Sequence, residues 1–387
     1  MSEYQYYQFL AVDRPLSDRQ MRELRAISTR AEITPTSFTN VYHWGDLKAR
    51  PLDFMKRYFD AHVYVANWGT RCLMLAVPRE LIDLDAARRY ANGDTMLVHV
   101  HQDRVILTFA SPDDDGYDDD FDSGEGWLPS LLPLRDDLMR GDLRSLYVAW
   151  LAGVFDDDES TEPPVPPGLG KRTAALESLI GFLRVDPHLV DAAAEGAGEG
   201  GPAGPSSDDV AAWVAKLPAA EKDGVLCELL SDEVTPAEVV GRLRQRFQKQ
   251  WNEANRPARA AAKAPGRTIA ELFARREVLA AEARRREAQR LAKKRAAAKR
   301  KAAAARKRFL DEMAPNEDKL WRDVDSLLKT THASNYARAV ERLTDLRDLA
   351  ARASTEATWQ ERIIDLRRRH RRKPALMKRF DDAGFPS

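Results

Sequence analysis

The residues best suited to chemistry by type and spacing are His99-Val100-His101-Gln102-Asp103 and two basic runs. Side chains alternate along an extended strand, so His99 and His101 share one face. Two imidazoles beside the Asp103 carboxylate suit zinc, which would make a small metalloenzyme. The plain alternative is a pair of histidines on a half-exposed strand. The first basic run holds Arg284, Arg285, Arg286, Lys293, Lys294, Arg295, Lys299, Arg300, Lys301, Arg306, Lys307 and Arg308, with no acid between Leu291 and Phe309. The second holds Arg367, Arg368, Arg369, Arg371, Arg372 and Lys373 around His370. Dense cations bind phosphate backbones by releasing counterions, with weak sequence preference and steep salt dependence. Their plain alternative is a solvated helix neutralised by acidic segments of the same chain.

Other motifs fail on position. In the acidic run 113–125, Asp118, Asp120 and Asp122 alternate as in a calcium loop. Ser123 and Pro129 then stand where such a loop needs Gly and Glu. Gly196, Gly198 and Gly201 match GxGxxG, but no strand precedes them and no helix follows. Gly168-Leu-Gly170-Lys171 is not a P-loop, because Val165 replaces the first Gly and Arg172 the Ser or Thr. There is no GxSxG elbow and no cysteine with a local catalytic signature. No cofactor is expected.

The long basic stretch sets the architecture. Thr268-Ile269-Ala270-Glu271 has capping-box spacing, and Pro315 cannot continue a helix. Between them lie mostly Ala, Arg, Lys, Glu and Leu, predicting one helix over 268–314, roughly 70 Å long. Ile269, Leu272, Phe273, Val278, Leu279 and Leu291 can dock its first half. Beyond Leu291 no apolar residue larger than Ala occurs before Phe309.

Upstream, residues 1–155 predict a compact α+β domain with helices on one face of a mostly antiparallel sheet. Strands are expected at 4–12, Ser37–Trp44, Ala61–Ala66, Arg71–Val77, Thr95–His101 and Arg104–Phe109, and helices at Ser17–Ser28, Pro51–Phe59 and Leu84–Tyr90. An acidic loop (111–126) and a mainly helical stretch, Leu128–Val154, complete this domain. Residues 156–170 read as a Pro-rich acidic linker. Residues 171–251 read as short helices around a Gly-rich linker, 196–207. Residues 315–387 predict a small helical domain, with helices at Asp318–Lys329, Tyr336–Ala353 and Thr358–Arg369.

The chain has 387 residues and zero formal net charge, but the charge is segregated. Residues 111–160 carry −12 and 161–240 carry −9, whereas 241–310 carry +18. The acidic middle could mask the basic helix or serve a different partner. Two distant cysteines, Cys72 and Cys227, exclude a disulfide framework and a Cys-rich zinc site. No signal peptide and no membrane span are expected, so a soluble cytoplasmic protein is the expectation.

Three resemblances add to this. His99–Asp103 resembles the start of the metallo-β-lactamase signature, although Arg104 stands where that family has His and its αββα repeat is absent. YYQFLAVDRPL (6–16), ITPTSF (33–38), YHWGDLK (42–48) and ANWGTR (66–71) resemble an uncharacterised bacterial protein family. LRRRHRRKPALMKRFDDAGF (366–385) is similar to the C-terminal helical tail found there and in some bacterial SWIM zinc-finger proteins. The SWIM zinc pattern, CxCx(n)CxH, cannot be met by two isolated cysteines. The likeness implies a bacterial protein associated with nucleic-acid machinery, and no site residue carries over.

The expected function is therefore non-enzymatic: an adaptor or accessory protein contacting nucleic acid or another polyanion through the two basic runs. The alternatives are a protein–protein scaffold, coiled coil included, through the long helix, and the metalloenzyme of His99, His101 and Asp103. The sparse apolar face beyond Leu291 argues against a stable two-stranded coil. Oligomeric state is left open.

Overall fold

The computed structural model describes residues 3–111, 122–156, 160–198, 205–231, 234–254 and 267–387. Most of the calcium-like run and the centre of the Gly-rich linker, including Gly200 and Gly201, lie outside the described residues. The chain forms two compact units, Met1–Ala283 and Arg284–Ser387.

The first unit is α+β. Strand β1 (Gln5–Leu10) is followed by helix α1 (Asp18–Ile27), capped reciprocally by Ser17 and Gln20. Next come β2 (Glu32–Ile33), β3 (Ser37–Tyr42) and α2 (Pro51–Arg57), which has Pro at its first position. Strands β4 (Ala61–Ala66) and β5 (Arg71–Pro78) form the expected hairpin, with Gly69 at φ 102° in the turn. After α3 (Leu84–Arg88), a second hairpin pairs β6 (Met96–His101) with β7 (Arg104–Ala110). The sheet runs β2-β3-β1-β4-β5-β7-β6, and every pairing is antiparallel.

Alternation along the strands feeds two cores. Phe9, Phe38 and Ile106 face one side and pack with Leu24 of α1 and Phe54 of α2. Val63, Leu73, Leu75, Leu107 and Phe109 face the other. That second face meets the larger helical layer, α4 (Trp127–Leu131), α5 (Pro133–Met139), α6 (Arg144–Leu151), α7 (Ala174–Phe182) and α8 (Pro187–Ala194). Residues 160–170, linker-like in composition, are packed instead. Val165 and Leu169 are buried in this core, and the Pro164 carbonyl accepts from the Tyr90 hydroxyl at 2.8 Å. Beyond them lie α9 (Ser207–Lys216), α10 (Ala219–Leu230) and α11 (Pro236–Ala254). Trp213 of α9 is set edge-on to Phe247 of α11 at 5.4 Å.

Helix α12 (Ile269–Met313) begins where the capping box predicts. The Thr268 hydroxyl accepts from the Glu271 amide at 3.2 Å, and the Glu271 carboxylate accepts from the Thr268 amide at 2.9 Å. Ile269 and Leu272 are buried in the first unit's core. At the other end the α-helix gives way to a 3-10 turn, Ala314–Asn316, containing Pro315. Helices α13 (Glu317–Lys329), α14 (Ala333–Ala353), α15 (Glu356–Arg369) and α16 (Pro374–Asp382) then surround the second unit's core. Leu310, Val324, Leu343, Ile363, Leu376 and Phe380 are among its buried residues.

Candidate nucleic-acid interface

Every residue of α12 from 284 to 305 is exposed. The cause is compositional, since a helix of Ala, Lys and Arg has no stripe to bury. Successive residues advance about 100° around a helix, so residues seven apart nearly eclipse, drifting about 20°. Arg286, Lys293, Arg300 and Lys307 therefore form one row along the axis. Lys294, Lys301 and Arg308 form a second row, about 100° round from the first. Between Lys293 and Arg308 only Ala297 and Ala304 lie between the rows. Arg290, not singled out by the sequence reading, heads the line between the rows, seven residues before Ala297, and pairs with Glu287 at 2.8 Å. Among the described residues Lys293, Lys294, Arg300, Lys301, Lys307 and Arg308 make no ion pair. Arg284, Arg285, Arg295 and Lys299 are exposed off the two rows.

Arg306 is a correction. It projects from the side of α12 opposite the rows, where its guanidinium binds Asp345 and Asp348, each at 2.6 Å, and lies over the Phe309 ring. Hydrogen bonds to Asp348 and then Asp345 raise its already high pKa further. Its charge holds the second unit together rather than facing a ligand.

The C-terminal run divides in the same way. Arg367 binds Asp381 at 2.7 Å and the Phe385 carbonyl at 3.0 Å. Arg369 bridges Asp325 at 3.2 Å and Asp365 at 2.9 Å. Lys373 donates to the Leu328 and Thr330 carbonyls at 2.5 and 3.2 Å, neutralising the carbonyl end of α13, with its ammonium over Tyr336. These three are structural. Arg368, Arg371 and Arg372 remain exposed, with no ion pair among the described residues.

The histidine pair sits on β6, the edge strand, as the alternation predicts. Burial and the Lys56 charge lower the His99 pKa, which favours its neutral form. Asp103 is exposed in the β6–β7 turn, and its carbonyl accepts from the Arg79 amide. Among the described residues no group of three His, Cys, Asp or Glu side chains is placed to hold a metal ion. Asp103 is thus not brought together with His99 and His101 as a ligand set. Burial pushes the Cys72 thiol up to about 12, which keeps it protonated and a poor nucleophile, and Cys227 lies exposed on α10.

Described residues of the acidic middle pair with the start of α12. Arg267 grips Glu162 at 2.7 and 2.8 Å, Arg275 grips Glu195 at 2.7 Å, and Arg276 binds Asp186 at 2.7 Å. The Glu162 side chain is fully buried and also accepts from the Tyr147 hydroxyl. A short antiparallel bridge, Thr161 to Thr268, completes this anchor.

No protein-family model matches the chain, and the comparisons with curated proteins and with solved structures likewise find no match. The resemblances noted above rest on their motifs alone.

Proposed function

We propose that this protein is a non-enzymatic adaptor or accessory protein acting in the cytoplasm. It engages nucleic acid or another polyanion through the exposed rows of α12, assisted by Arg368, Arg371 and Arg372. The observation that carries this reading is the complete exposure of 284–305 together with the acid-free cations that follow Leu291. Burying such a segment in the chain's own core would leave unpaired charges in a low dielectric. Solvent or a polyanion is the environment that suits it. None of the described helices is long and apolar enough to cross a membrane.

The test is binding of a fluorescent nucleic acid across about 50–300 mM salt, comparing wild type with a Lys293, Lys294, Arg300 and Lys301 quadruple alanine variant. Alanine preserves helix propensity, so charge alone changes. The log–log salt slope should lose about 3–4 of its magnitude, close to one unit per phosphate contact removed. An unchanged slope would remove the rows from the interface.

A further inference from the structure

We infer that the partner of α12 is a B-form DNA duplex whose major groove receives the helix between its two cationic rows. The inference rests on the polyanion reading above and names the ligand of that same surface. The basic pairs Lys293-Lys294, Arg300-Lys301 and Lys307-Arg308 recur every seven residues, which sets cations in two lines along the axis rather than around it. A helix with its side chains is about 10–12 Å across, and the B-form major groove is about 12 Å wide and admits an α-helix. Rows about 100° apart on that cylinder reach outward to both borders of such a groove, so each can meet the phosphates of one strand. Ala297 and Ala304, the small residues between the rows, would face the groove floor. Methyl groups let the backbone approach closely and offer base edges no hydrogen bond. Recognition is then of duplex form, not of sequence.

Two other nucleic-acid forms fit less well. Single strands are held by aromatic side chains on which bases stack, and no aromatic occurs between Phe273 and Phe309. An A-form RNA duplex has a deep, narrow major groove that side chains do not enter.

The experiment measures full-length protein against a DNA duplex of about 20 bp, the corresponding single strand, an RNA duplex of equal length, and heparin as a flexible polyanion. The duplex should bind about tenfold or more tighter than the single strand and the RNA. An Ala297→Leu/Ala304→Leu variant keeps every charge and the helix propensity but raises a ridge between the rows. It should lose the preference for duplex DNA while heparin binding is unchanged. Equal binding to all three nucleic acids would overturn the groove assignment and leave the polyanion reading standing. A duplex preference that survives the leucines would overturn it too. Absence of binding to every probe, heparin included, would overturn both.

Discussion

At Arg306, two carboxylates and the Phe309 ring hold a side chain that composition groups with its basic neighbours. Asp345 is buried, so removing Arg306 leaves it a carboxylate without its closest cation. Arg306→Ala should destabilise the second unit by about 1–3 kcal/mol in a denaturant titration while leaving the salt slope of nucleic-acid binding unchanged. Arg300→Ala should do the opposite. In the first unit, His62 is fully buried, stacked on Phe9 at 3.9 Å, with Nδ1 against the Gln8 carbonyl at 2.9 Å. Burial depresses its pKa from 6.5 to about 3, so it is neutral when folded and takes up a proton once unfolded. The unfolded state binds the extra proton between those values. Stability present above pH 6.5 is therefore lost as pH falls toward 3, at about 1.4 kcal/mol per unit. Between pH 7.5 and 5.0 wild type should lose about 2 kcal/mol more than His62→Gln, read from unfolding midpoints.

Helix α12 needs an anchor, because its exposed middle contributes no packing. One anchor is at its start, where Arg267 meets a fully buried Glu162 and also donates to the Ala192 carbonyl at 2.9 Å. Burial raises the Tyr147 phenol pKa and the Glu162 charge raises it further, so Tyr147 stays a hydrogen-bond donor to that carboxylate. Removing one partner of a buried pair leaves an uncompensated charge. Arg267→Ala should cost about 3–5 kcal/mol of first-unit stability, measured by chemical denaturation. Arg295→Ala, on the exposed stretch, should stay within about 0.5 kcal/mol of wild type. Equal effects would mean the Glu162 cluster is not what fixes the helix start.

For the whole molecule, each unit owns a hydrophobic core. Phe109 is fully buried in the first and Phe380 in the second. Deleting a buried phenyl ring costs about 3–5 kcal/mol. Calorimetry should resolve two transitions, with Phe109→Ala lowering one midpoint and Phe380→Ala the other. A single transition shifted equally by both substitutions would show that the units unfold as one.

Sequence alone determined the features governed by local physics. The antiparallel hairpins follow from alternating apolar residues and the Gly69 turn, and the long helix from its capping box and Ala-rich interior. The exposure of 284–305 follows from the want of any apolar stripe. Short elements were not legible. Helix α16 is nine residues long with Leu376, Met377 and Phe380 on the core, and β2 is two residues long, so neither gives enough period to register. Tertiary structure alone decided that 160–170 is packed, because Val165 and Leu169 sit in a run whose prolines and acids resemble a linker. It also decided which cations stay free. Arg306, Arg367, Arg369 and Lys373 look like their neighbours in sequence, and only distant carboxylates and carbonyls brought near by folding distinguish them. Charge density is a property of the chain, whereas the pairing of each charge is a property of the fold.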